Sequence, residues 1–227
     1  MLLSVLIPTL QSRAEALARL LGHLNAQREQ HGLGGDVEVL TLRDGGEESV
    51  GRKRNRLVEQ AAGDFVAFVD DDDDVSDDYL PLICDALRGH SDIDCVGIRG
   101  VITFRGRHPQ TFIHSLRYRD YFKRGDTYFR PPYHLNPMRR AVALRYRFEE
   151  VNYGEDVEWA LRLCRDGALQ SELFIDSPIY FYHSRRRWAY QWLLDRTEPL
   201  RHALGLRSVN RLRARRWLRS LFAGSPP

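Results

Sequence analysis

Phe65-Val66-Ala67-Phe68-Val69-Asp70-Asp71-Asp72-Asp73-Asp74 is five apolar residues running straight into five carboxylates. The apolar half has the length and composition of a fully buried strand, and the acids mark its carboxyl end. The same alternation surrounds it. Residues 2–7 read as a strand, and Leu17, Leu20, Leu21 and Leu24 recur on one helix face that ends before Gly32. Residues 37–42 make a second strand, closed by a turn at Asp44-Gly45-Gly46. Ser49 is placed to cap a helix with the inner face Val50, Leu57, Val58 and Ala61, ended by Gly63. Beyond the aspartates, Ser76 is expected to cap a helix over 77–87. Strand and helix alternating at this spacing predict βαβ units and a parallel sheet, whose ligands sit at the strands' carboxyl ends. Those ends carry Pro8-Thr9, Asp44 and the run from Asp70 to Asp74.

Further along, 96–104 and 111–118 read as strands joined by a turn at 106–109, and 119–136 as an aromatic, Arg-rich loop lining a site. Gly154-Glu155-Asp156 opens a helix that runs to Arg165. Residues 169–175 and 179–182 read as two short strands, with His183 after the second. The expected organisation is one α/β domain in two halves (1–115 and 116–185) followed by a helical tail (186–227).

With 227 residues, 43% of them hydrophobic and 29% charged, the composition is that of a folded domain and excludes wholesale disorder. No apolar run is long enough to span a bilayer. Pro8 follows the first run too soon for a signal peptide. Cys84, Cys95 and Cys164 show no metal spacing and read as reduced thiols, so a cytoplasmic protein is expected. The net charge is only +3, yet of 34 basic residues just Lys53 and Lys123 are lysine. Arginine is the better fork for phosphate, although codon bias would give the same excess.

Five adjacent carboxylates repel one another unless something cationic neutralises them, and a hard divalent ion with oxygen ligands does this well. A solvated acidic loop ahead of a helix is the plain alternative. Taken in order, Ser4-Val5-Leu6-Ile7-Pro8-Thr9, Asp44-Gly45, Arg54-Asn55, Phe68-Val69-Asp70-Asp71-Asp72-Asp73 and Gly154-Glu155-Asp156 resemble the signature of family 2 glycosyltransferases. The resemblance runs from residue 2 to about 184. It implies a GT-A fold, with a central mostly parallel sheet flanked by helices, and a nucleoside-diphosphate sugar as donor. Pro8, Thr9, Asp44, Arg54, Asn55, Asp70, Asp71 and Arg185 would then bind the donor. Asp72, in the position of the DxD metal residue, and His183 would hold Mn²⁺ or Mg²⁺. Asp156, with Glu155 beside it, would supply the general base of an inverting transfer. One position departs from the pattern: Arg43 stands where the family often has a second acid before the glycine.

The acceptor is less legible. From Arg201 onward the tail has arginines and no acid, and Leu206, Val209, Leu212, Trp217, Leu218, Leu221 and Phe222 interleave with them. A basic amphipathic helix suits an anionic membrane surface, hence a glycolipid or surface-polysaccharide precursor as acceptor and a peripheral position on the inner face. The same arginines would also track a DNA backbone, the acceptor then being a hydroxymethylated phage base. A tail packed on its own domain or on a second subunit is the plain reading. Two other classes stay open. A nucleotidyltransferase would favour a Gly-rich phosphate loop where Leu10-Gln11-Ser12-Arg13 stands, and a non-catalytic sugar-binding module would not need Glu155-Asp156.

Overall fold

The computed structural model describes residues 1–90 and 92–185. The tail from 186, including its expected amphipathic helix, lies outside the described residues.

Three parallel strands form the sheet's first half: β1 (Leu3–Leu10), β2 (Val37–Asp44) and β3 (Phe65–Phe68). β1 lies between the other two, with Thr9 opposite Arg43, Leu10 opposite Asp44 and Leu6 opposite Phe68. That register brings Thr9, Asp44 and the start of the acidic run to one edge. The crossover helices are α1 (Ala14–Gln30) and α2 (Val50–Gln60). Ser49 caps α2 as expected, its hydroxyl accepting from the Arg52 N–H.

The inner face of α2 differs from expectation, because Lys53, Arg54 and Asn55 are buried along with Leu57 and Val58. Each of these polar groups meets a partner supplied by another element, which is what allows burial. Gly51 is required by close approach: a Cβ there would stand 1.9 Å from the Glu149 carbonyl oxygen. The Gly51 N–H donates to the Val151 carbonyl, so α2 is pressed against the 149–151 loop.

The second half of the sheet is mixed. A two-residue strand, β4 (Asp74–Val75), sits inside the acidic run, and α3 (Tyr79–Leu87) follows it. Ser76 does not cap α3. Its N–H is held by the Ile179 carbonyl and its hydroxyl donates to Asp78, so the helix starts later. A hairpin of β5 (Cys95–Phe104) and β6 (Arg107–His114) comes next, with Arg105 and Gly106 both at positive φ in its turn. Residues 119–136 are not all loop: β7 (Phe122–Arg124) and β8 (Thr127–Arg130) extend the sheet beside β6. β9 (Met138–Arg139) pairs antiparallel with β3 and leads into α4 (Arg140–Arg145). After α5 (Glu155–Arg165), the two expected short strands prove to be one, β10 (Glu172–Ser184). Its pairing with β5 shifts register on either side of Pro178, which cannot donate to the ladder.

One core joins the halves. Leu6, Leu57, Phe68, Met138, Phe148 and Trp159 pack together, with the Trp159 ring stacked on Phe148 at 4.5 Å. Trp159 faces this core from α5, so the helix that begins with Glu155-Asp156 is fixed against the sheet. Among the described residues, no helix is long and apolar enough to cross a membrane.

Candidate functional site

The five aspartates are consecutive, yet they answer to different cations and donors. Asp70 accepts from the Arg54 guanidinium at 3.0 Å and lies 3.5 Å from the His134 ring. Burial alone would raise its pKa. Arg54 and His134 outweigh burial and hold the carboxyl well below the usual carboxylate range. Asp71 is buried and accepts from the Thr9 hydroxyl and from Arg13, each at 2.5 Å. Asp72 is half-buried, 3.1 Å from Arg185 and 3.5 Å from Arg13. Asp73 points inward to the Tyr180 hydroxyl and the His183 N–H, both at 2.8 Å, and burial beside Asp70 pushes its carboxyl up. Asp74 meets the His183 ring at 2.7 Å. Alternating inward and outward directions spread the charge over α1, α2 and β10.

α2 supplies cations to two edges of the site. Lys53 reaches the Thr9 carbonyl at 2.8 Å and pairs with Asp44. The hydrogen bond from Lys53, joined by one from the Glu48 N–H, holds the Asp44 carboxyl below its ordinary value. Arg54 turns the other way. Its two terminal nitrogens reach Asp70 at 3.0 Å and Glu155 at 2.6 Å, and its carbon lies 5.6 Å from the Phe68 and Phe148 ring centres. Burial pushes Glu155 up to about 7, opposed by Arg54 and assisted by the Asp156 charge.

Gly154 sits at φ 86°, a left-handed entry to α5 that glycine adopts without strain. The entry places Glu155 and Asp156 in the first turn, where the helix dipole favours acids. Successive residues diverge by about 100° around a helix. Glu155 therefore goes inward to Arg54, whereas Asp156 stays half-buried and accepts from the Tyr133 hydroxyl and from the Val157 N–H.

Of the residues singled out from sequence, Pro8, Thr9, Asp44, Arg54, Asp70, Asp71, Glu155 and Asp156 gather along these strand ends and the start of α5. Asn55 stands apart. Its amide donates to the Phe148 carbonyl and accepts from the Phe148 N–H, so it pins that loop to α2. His183 and Arg185 line a cavity of about 370 Å³ together with Asp72, Arg105, Gly106 and Ser184. Sequence reading missed Arg13, Lys53, Arg105, Tyr133 and Tyr180. Lys53 was traceable, being a lysine four residues before Leu57 on the apolar face of α2. Tyr133 had no local signal, since only tertiary packing brings it to Asp156.

Among the described residues, no group of three His, Cys, Asp or Glu is placed to hold an ion. Asp72 and His183 share one cavity wall, where Asp72 offers the oxygen ligand that a Mg²⁺ or Mn²⁺ would need, whereas the His183 ring is already engaged by Thr103 at 3.1 Å and by Asp74 at 2.7 Å.

A parallel βαβ sheet with acids at its strand ends, facing acids at a helix start, is the layout of a nucleotide-sugar transferase of the GT-A type. The family profile described as "Glycosyltransferase like family 2" matches residues 22–134. The chain belongs to glycosyltransferase family 2. A search of curated proteins gave no match. Among solved structures, S. aureus TarS matches with a TM-score of 0.56 and 15% identity, over 87% of this chain and 44% of TarS. TarS 1–349 in complex with UDP matches at 0.53 and 17%, over 81% of this chain and 60% of that one. TarS 1–349 in complex with UDP-GlcNAc matches at 0.52 and 16%, over 82% and 60%. The chain thus spans between two fifths and three fifths of these relatives, and at such identity the likeness is one of fold.

Proposed function

We propose that this chain transfers a sugar, with inversion, from a nucleoside-diphosphate donor to an acceptor hydroxyl, assisted by a divalent cation. One observation carries the reading. Asp70 at the end of β3 and Glu155 at the start of α5 share the single buried guanidinium of Arg54. That bridge ties the donor edge to the helix that presents Asp156.

In this reading Asp156 takes the proton of the acceptor hydroxyl as its oxygen attacks the anomeric carbon. The bond from that carbon to the diphosphate breaks, and the nucleoside diphosphate leaves. Arg185 and Arg13, already facing Asp72, offset the charge that develops on the leaving group. When bound, a Mg²⁺ or Mn²⁺ held by Asp72, with His183 joining only on leaving Asp74, would supply Lewis-acid neutralisation of the diphosphate. Glu155 is spent on Arg54, which leaves one carboxylate to act as base and none as nucleophile. Single displacement and inversion follow.

The solved TarS complexes contain UDP and UDP-GlcNAc, so uridine donors are the first to try. The test is release of nucleoside diphosphate from a panel of nucleotide sugars, with and without Mn²⁺. Release with an inverted product supports the proposal. Retained configuration, or pyrophosphate release from a nucleoside triphosphate instead, overturns it. For the acceptor, the arginines and apolar residues after Arg201 favour an anionic, membrane-borne glycolipid or surface-polysaccharide precursor, reached from the cytoplasmic face. Anionic liposomes should bind the full chain and not one lacking 205–227. Tail-dependent binding to duplex DNA instead would support the DNA acceptor.

A further inference from the structure

Asp156 is not held by its own helix alone. Its second partner is Tyr133, a residue 23 positions earlier on a different part of the chain. Tyr133 is buried, and its ring is surrounded: His134 lies at 4.2 Å, His114 at 5.6 Å and Tyr121 at 6.5 Å between ring centres. The backbone beneath is equally fixed. The Tyr133 N–H donates to the Asn136 side chain at 2.9 Å, and the Asn136 N–H returns to the Tyr133 carbonyl at 2.9 Å. Asn136 in turn donates to the Val96 carbonyl, and the next residue's carbonyl, His134, accepts from the Phe68 N–H at the end of β3. The hydroxyl is therefore a fixed donor with one place to go. Burial, then the Asp156 charge, push the phenol well above its ordinary value, which keeps it protonated.

We propose that Tyr133 is the positioning residue for the base: its hydroxyl fixes the Asp156 carboxylate in the orientation that receives the acceptor proton. The proposal rests on the reading of Asp156 as that base. A carboxylate has about four lone-pair sites. Tyr133 and the Val157 N–H occupy one on each oxygen and lock the side-chain rotation, leaving the others for the acceptor hydroxyl. Arg54, Glu155 and His134 are the charged or titratable groups that also face Asp156, and none of them makes this contact.

The test is a double-mutant cycle on the full chain, read as UDP release from UDP-GlcNAc or whichever donor the wild type turns over. Tyr133→Phe should lower kcat about 10- to 100-fold, the usual cost of a small misplacement of a reacting group. Donor KM should stay within about twofold, since binding and transition-state terms separate this way. In the Asp156→Asn background, Tyr133→Phe should cost nothing further. A merely structural tyrosine would instead lower stability and rate in both backgrounds alike, and that result overturns the proposal, as does a fully active Tyr133→Phe. Tyr133→Met carries the same cycle should the phenylalanine variant fail to fold. A wild type that releases no nucleoside diphosphate from any sugar donor sinks the glycosyltransferase reading, and this proposal with it. A wild type that does so while the cycle is additive sinks the proposal alone.

Discussion

Lys53 and Arg54 are neighbours on one helix, both buried, and they serve opposite edges of the molecule. Lys53 stays within one pair of neighbouring strands: Asp44 of β2, nine residues away in sequence, and the Thr9 carbonyl of β1, 44 away. Arg54 joins acids that lie 16 and 101 residues away, Asp70 and Glu155. The chemistry of the two side chains suits the two tasks. An ammonium is a compact point charge that settles one carboxylate, whereas a planar guanidinium can hold two in fixed directions. The Lys53 edge thus ties together two paired strands. The Arg54 edge joins the acidic run to the start of α5, and in the proposed mechanism catalysis depends on that joint.

The largest effect expected is on the Arg54 edge, where Asp156→Asn should cut transfer by about two to four orders of magnitude while donor binding persists. Steady-state kinetics beside a binding titration check it, and equal loss of both would erase the distinction between the edges. Next, Arg54→Ala leaves the half-buried Asp70 and the buried Glu155 without their shared cation. Chemical denaturation should show a loss of about 3–5 kcal/mol, the usual cost of removing one partner from a buried ion pair. Lys53→Met should cost less, a fall of about 3 °C in melting temperature, because one half-buried carboxylate loses its cation rather than two, of which Glu155 is buried. If Lys53→Met proves the more damaging of the two, the contrast fails.

A subtler check uses pH. The Glu155 carboxyl is raised to about 7 from an ordinary 4.5, so the native state keeps its proton where the unfolded chain has lost it. Stability from this group is therefore fully present below 4.5 and is lost as pH rises through 7. The stability of the wild type relative to Glu155→Gln should fall across that window, measured by denaturation at several pH values. The smallest effect concerns metal. Each of Asp70–Asp74 already has a cation or hydrogen-bond donor within the chain, so EDTA should abolish Mn²⁺-dependent turnover without shifting the melting temperature.

The sequence made the first half of the fold legible because its signals are local. Residues 37–42 and 65–69, with their glycine stops and strand-end acids, state the βαβ pattern within a few residues of each position. The rest depended on pairing at a distance. β4 and β9 are two residues long, too short to show any period, and exist because β10 and β3 supply partners. β7 and β8 lie in a stretch whose aromatic and arginine residues mask alternation. Pro178 broke one strand into two apparent ones. The site divides the same way. Asp44, Asp70 and Asp156 announce themselves by motif, while Tyr133 and Arg13 are brought in by contacts 23 and 58 positions apart.

Gly51 does no chemistry, but it fixes how near α2 can come to the loop ahead of α5. Any side chain there would drive its Cβ into the Glu149 backbone, and the least disruptive escape is for α2 to retreat. Lys53 and Arg54 would retreat with it. In a saturation mutagenesis scan scored on activity, Gly51 should therefore rank with Asp156 in intolerance, as a position where even alanine is excluded. Selection would see a catalytic residue where the chemistry has only an absent methyl group.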